Sequence, residues 1–219
     1  MTIAAATIIG DVQRILNDEA GDRVPASMLV PLMNMAQRDI MTARPDTTSA
    51  ISPLPLVDGY KQIVPANAYL MIDVHANTNT PGRRITKVDL ALLDAQEPAW
   101  RSRARSSVIQ HYMHDLRNPR VFWVYPPATA GTNVDFEASV YPTDIADPAA
   151  PGKVAGTVTG NISLNDEWQS ALFCMTAHYA YLTDLEGVNN QNLAVAYLQR
   201  ASSILGVQIQ TAAATTSKN

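Results

Sequence analysis

Asn133-Val134-Asp135-Phe136-Glu137-Ala138-Ser139-Val140-Tyr141 is the stretch that decides the fold. Successive side chains of an extended backbone point to opposite faces. Val134, Phe136, Ala138 and Val140 therefore share one side, and Asp135, Glu137 and Ser139 the other, which predicts a strand with one buried and one wet face. Two earlier runs, Val108 to His114 and Val121 to Tyr125, have the same character. Asn118-Pro119 separates them, and Pro126-Pro127 with Gly131 separates the second from the third, so the three read as a β-meander.

Upstream the pattern stays strand-like. Leu70, Ile72 and Val74 alternate with Met71, Asp73 and His75 after a short strand from Lys61 to Val64. A turn at Thr80-Pro81-Gly82 leads into Arg84 to Val88, and Asp89 can cap a short helix through Leu90, Leu92 and Leu93 that must stop before Pro98.

Toward both ends the period changes to that of a helix. Ile8, Val12, Ile15 and Leu16 mark a first helix from Ala4 to Leu16, stopped by Asn17-Asp18-Glu19-Ala20-Gly21-Asp22. Ser27 is the expected N-cap of a second, which puts Pro31 at its fourth position, where the missing N–H has no intrahelical partner to lose. Leu29, Leu32, Met33, Ala36 and Ile40 form its stripe, and Pro45 ends it. Pro142 to Gly160 reads as a long irregular connection with room for one short strand near Val154 to Val158. Asn165 or Asp166 then caps a helix carrying Trp168, Leu172, Met175, Tyr179 and Leu182 on one stripe. After a break at Glu186-Gly187-Val188-Asn189, a last helix runs from Gln191 to Leu205 and ends at Gly206.

The expected fold is therefore α+β: a helical bundle of N- and C-terminal helix pairs, with a β-rich central insertion that is a meander or small sandwich. The expected organisation is a helical body of 1–50 and 165–207, an insertion of 51–164 and an extended tail of 208–219.

Composition narrows the function. Of 219 residues, 47% are hydrophobic and only 16% charged, against roughly 25% charged in an average soluble protein. Part of the surface must be small polar residues or surface covered by other subunits. A formal charge of −4 argues against grip on nucleic acid through phosphate neutralisation. The densest basic stretch, Arg101, Arg103 and Arg105, has no interleaved aromatics and reads as a solvated or ion-paired loop. The lone Cys174 cannot form an intramolecular disulfide, which fits an intracellular or compartment-neutral protein. The start of the chain lacks a secretion signal and no run is long enough to span a bilayer, so a soluble chain that is not exported is expected.

Several pairs could carry chemistry. His111 and His114 have a metal-binding spacing on a helix, but three residues apart on a strand they face opposite ways, and no third ligand is evident. Cys174 and His178 stand one helical turn apart, yet a buried thiol beside a core histidine is the commoner arrangement and no third orienting residue can be named. Asp135 and Glu137 look like an acid–base pair, and equally like the solvent side of an amphipathic strand. Trp123, Tyr125, Trp168, Tyr179, Tyr181 and Tyr197 could stack on bases, but their spacing favours packing in the core or between subunits. No phosphate-binding loop, dinucleotide-binding turn or nucleophile elbow occurs, so no cofactor is expected.

Other segments carry a family likeness. Ile15-Leu16-Asn17-Asp18, Leu32-Met33-Asn34-Met35-Ala36-Gln37-Arg38-Asp39-Ile40 and Ala43-Arg44-Pro45-Asp46 resemble "LND", "N-x-A-Q-R-x-I" and "RPD" signatures of the head-to-tail adaptors of short-tailed bacteriophages. Tyr60-Lys61-Gln62-Ile63-Val64-Pro65, Pro98-Ala99-Trp100, Asn118 to Pro127, His178-Tyr179-Ala180-Tyr181-Leu182 and Ala196-Tyr197-Leu198-Gln199-Arg200 follow in the family's order. That collinearity, over nearly the whole chain, is the specific part.

The resemblance implies a structural virion protein, not an enzyme. It would be made in the host cytoplasm and placed at the head–tail junction, where a homo-oligomeric ring, commonly of twelve copies, docks on the portal, receives the tail nozzle and lets viral DNA pass without specific binding or membrane contact. The Pro-rich stretch Thr143 to Gly160 and the Ala/Thr-rich tail, beginning Gln208, Ile209, Gln210 and Thr211, depart from the family pattern, so no family contact carries over to them; the tail is expected to lie along the portal or a neighbouring subunit. The alternatives are another neck or tail-completion protein and, from a different class, a small metal-dependent or Cys/His hydrolase.

Overall fold

In chain order the helices and strands are α1 (Ala5–Ile15), α2 (Ala26–Ala43), β1 (Ser49–Pro55), β2 (Gly59–Ile63), β3 (Ala68–Asn77) and β4 (Thr86–Lys87). They continue as α3 (Leu90–Gln96), β5 (His111–His114), β6 (Val121–Ala128), β7 (Asn133–Val140), α4 (Gln169–Thr183) and α5 (Asn190–Leu205). This is a computed structural model, and it describes residues 3–78, 83–183 and 190–206. The turn expected at Thr80-Pro81-Gly82 and the break expected at Glu186 to Asn189 lie outside the described residues. The chain divides into a helical unit, Met1–Thr48 with Pro142–Asn219, and a β unit, Ser49–Tyr141.

In the helical unit, α1 buries Ile8, Ile9 and Val12, and α2 buries Leu29, Val30, Met33, Ala36 and Ile40. Both stripes face one core. Burying each of these larger side chains contributes about 1.5–3 kcal/mol. Helix α4 lies among α5, α2 and α1. It is therefore buried on several sides, including Ala171, Cys174, Ala177, Ala180 and Tyr181, not along one stripe, and Leu182 is exposed. α5 ends where Gly206 turns into the left-handed region at φ +66°, as its position predicted.

Residues 142–164, expected in the insertion, instead belong to the helical unit. Ile145, Val158, Ile162 and Leu164 enter its core, and neutral amide side chains bind the strap's backbone. Asn34 Nδ2 donates to the Ile145 carbonyl at 2.9 Å and its Oδ1 accepts from the Ile145 N–H at 2.9 Å. Gln13 donates to the Lys153 carbonyl at 2.7 Å and accepts from Ala155 N–H at 3.0 Å, while Gln37 accepts from Ser163 N–H at 2.8 Å. Each satisfies backbone groups that irregular structure would leave bare. Ala155–Thr157 is a short 3-10 helix, not the strand expected there.

The strap also corrects the start of α2. Ser27 is inside the helix, and Pro25 at the cap position makes no side-chain bond. The first N–H groups, of Ala26 and Ser27, are taken by the carbonyls of Lys153 and Gly152 at 2.8 and 2.9 Å. Pro31 is thus the sixth helical residue and costs one intrahelical bond. Asn165 likewise makes no side-chain cap, because a 3-10 turn, Asp166–Trp168, leads into α4.

The β unit has two sheets, ordered β1-β7-β3 and β2-β6-β5-β4. β5 and β6 pair as a hairpin, but β7 leaves them for the other sheet, so the meander reading fails and the small-sandwich reading stands. Phe122 from one sheet stacks on Phe136 from the other at 5.9 Å, within a shared core that includes Met71, Val74, Val124 and Val134. β3 does not alternate as expected. Its buried residues are Ala68, Met71, Val74 and Asn77, because register shifts interrupt its pairing with β7 three times. β1 had no sequence signal of its own, since Pro53 and Pro55 argue against a strand; it survives as an edge, where prolines are tolerated. Asp89 caps α3 as expected, accepting from Ala91 N–H at 2.7 Å.

Gly21 is the tightest point under the strap. It has φ +64°, and a Cβ there would sit 2.0 Å from the Lys153 carbonyl oxygen. Gly21→Ala is expected to lower unfolding stability by at least about 2 kcal/mol in urea titration, whereas Gly131→Ala, open to solvent at φ +80°, should lose only about 1.

Candidate functional site

Arg44 closes the helical unit at the end of α5. Pro45 drives it out of the helical region to φ −139°, which aims its guanidinium at three partners. It binds Asp46 through Nε and Nη2 at 3.0 and 2.5 Å, donates Nη1 to the Leu205 carbonyl at 3.1 Å, and lies 4.6 Å over the Trp168 ring. The hydrogen bond and charge of Asp46 raise the Arg44 pKa, so the guanidinium keeps its charge throughout. Trp168 Nε1 is buried there and has no hydrogen-bond partner among the described residues. An unpaired buried donor costs about 1–3 kcal/mol, which marks the spot as one where a further acceptor would be welcome. Gln208, Ile209, Gln210 and Thr211 follow in sequence and lie outside the described residues.

The residues that suggested chemistry make local contacts. His111 Nδ1 contacts Thr86 Oγ1 at 3.2 Å and its ring stacks on Tyr125; His114 Nε2 lies 3.3 Å from the Pro119 carbonyl. Among the described residues no group of three or more His, Cys, Asp or Glu is arranged to hold a metal. Cys174 is buried, and burial pushes its thiol pKa up, which disfavours the thiolate a nucleophile needs. The Nδ1 of His178 is spent on the Ala194 carbonyl at 2.9 Å. Asp135 accepts from Thr78 Oγ1 at 2.8 Å, and Glu137 meets His75 Nε2 at 2.7 Å across the β3–β7 pair. His75 and Thr78 were not singled out by sequence; their place opposite β7 depends on the bulges of β3.

The aromatics divide between core and surface contacts. Tyr181 stacks on Tyr197 at 5.7 Å, Tyr179 donates its hydroxyl to Asp39, and Tyr125 donates to Glu97 at 2.8 Å. The loop arginines are ion-paired: Arg101 with Asp94 at 2.7 Å, Arg105 with Asp58 at 2.6 Å and Arg103 with Glu97. No described helix is long and apolar enough to cross a membrane.

Residues 3–219 match the family model described as SU10 adaptor protein. The chain belongs to this family. It is a phage adaptor, a structural protein of the virion's head–tail junction. No curated protein matches the sequence.

The adaptor's signature residues now have physical roles. Asn34 and Gln37 bind the strap, Ala36 and Ile40 fill the core, and Arg38 pairs with Asp144 at 2.6 Å. In the "RPD" segment Pro45 directs Arg44 and Asp46 neutralises it. In "LND", Asn17 takes φ +52° and Asp18 accepts N–H bonds from Asp22, Arg23 and Val24 at 3.0, 3.0 and 2.6 Å. Gln13 was missed because a buried amide on an otherwise apolar face has no signal until its distant partner is known.

Burial would raise the Asp18 pKa, but the three backbone donors outweigh it and hold the carboxyl below its ordinary value. A depressed pKa stabilises above the unfolded value and is lost as pH falls through the folded one. The stability advantage of the wild type over Asp18→Asn should therefore be full at neutral pH and fade below about pH 4. Urea denaturation of both proteins across that range measures it.

Proposed function

We propose that this adaptor acts as one subunit of a closed ring, with twelve the expected copy number, that docks on the portal, receives the tail nozzle and leaves a lumen through which DNA passes. The family match over residues 3–219 is the observation that carries this reading. A ring needs two unlike flanks that fit each other with a rotation that closes. The low charged fraction of 16% leaves much surface that can be covered at little desolvation cost.

The tail that begins Gln208, Ile209, Gln210 and Thr211 is the proposed portal- or neighbour-binding segment. Its support is the neighbourhood it leaves: Arg44 holds Leu205, and beside it Trp168 Nε1 lacks a partner among the described residues. A chain shortened to end at Gly206 should unfold at an unchanged temperature yet lose portal binding by at least about tenfold, as expected when a contact segment is removed. Light scattering of portal mixed with full-length or shortened adaptor, followed by electron microscopy of the mixture, measures both. Portal and full-length adaptor running as separate species at micromolar concentration would defeat the ring reading.

A further inference from the structure

A cleft of ≈ 340 Å³ in the β unit brings Lys61, Arg101, Arg103 and Arg105 to one mouth. Their geometry is prearranged. Arg101 lies 4.6 Å over the buried Trp100 ring and is held along one edge by Asp94; Arg103 lies 5.8 Å over Tyr125 and is held by Glu97; Arg105 gives only its Nε to Asp58. Tyr60 packs edge-on against Trp100 at 5.5 Å and fixes the floor. A guanidinium has five donors, so the bonds used leave further N–H groups on each arginine. Lys61 is exposed and forms no ion pair among the described residues. Side chains already immobilised lose little further entropy when an anion arrives.

Charge decides between occupants. Asp58, Asp94 and Glu97 are interleaved with the four cations, so the mouth keeps a surplus of only one positive charge. That suits one or two carboxylates; a polyphosphate backbone running past would meet as many repulsions as attractions. The source of such carboxylates is in the same sequence. The β unit holds nine Lys and Arg against eight Asp and Glu, whereas the helical unit holds seven against twelve. Asp147 of the helical unit is exposed and forms no ion pair among the described residues, and Glu167 is exposed as well, although its charge is partly engaged by Arg44.

We infer that this cleft is a receptor for the acidic helical unit of a second copy of the chain, a contact between unlike faces of neighbouring subunits. The inference rests on the ring reading and names one of its interfaces. Such a contact is heterologous, since the cleft and its acidic occupant come from different units of the two copies.

Sedimentation velocity of the full chain tests it. Wild type should self-associate at low ionic strength and less at high salt; Lys61→Glu should weaken association by about tenfold and Lys61→Gln by less, while Arg117→Glu, the same charge reversal outside the cleft, should not. Equal association of wild type and Lys61→Glu would overturn the inference. So would a wild-type chain that stays monomeric at low salt, or a short DNA duplex bound more tightly by wild type than by Lys61→Glu. A ring of Lys61→Glu subunits that forms normally on portal would sink this interface and leave the ring standing; absence of a wild-type ring on portal would sink both.

Discussion

The helical unit depends on one requirement: the backbone of 142–164 must have its hydrogen bonds met with no more regular structure than the short 3-10 helix Ala155–Thr157. Gln13, Asn34 and Gln37 meet it from α1 and α2, and the strap in turn supplies the carbonyls that cap α2. Neither partner is complete alone. Buried polar groups of this kind are costly when unpaired and specific when paired, so they fix the strap's register more sharply than its few apolar anchors could.

The elements that sequence exposed best are those whose signal is local. The stripes of α1 and α2, the alternation in β7, the Asp89 cap and the Gly206 stop each depend on neighbours within a few residues. What sequence hid depends on partners far along the chain. Ser27 looked like a cap because its neighbours are right for one, and only the carbonyls of residues more than a hundred positions away displace it. β3 lost its alternation to bulges opposite β7, and β7 moved to the other sheet, its own alternation holding through Ala138 but failing at Ser139, which is buried, and Val140, which is half-buried.

The candidate site was legible in a different manner. Arg44, Asn34 and Gln37 were noticed as parts of recurring segments without any visible chemistry, and the structure supplies the chemistry as neutral or ion-paired hydrogen bonding. The pairs that looked catalytic, His111 with His114 and Cys174 with His178, are drawn into local contacts that use their polar atoms on hydroxyl or carbonyl groups or bury them. Spacing alone favoured the pairs; it is the placement of their partners that determines what the atoms do.

The strap is also reached by two exposed ion pairs, Arg38 with Asp144 and Lys153 with Asp22, but its more buried ties are amides, and this has a bearing on where such a protein must hold together. Gln13, Asn34 and Gln37 have no proton to lose and no charge for dissolved ions to screen. Their grip is therefore the same in a crowded cell, beside densely packed polyanion with its counterions, and in dilute medium outside. A joint that has to survive every one of those settings is well served by fastenings that do not sense the solution around them.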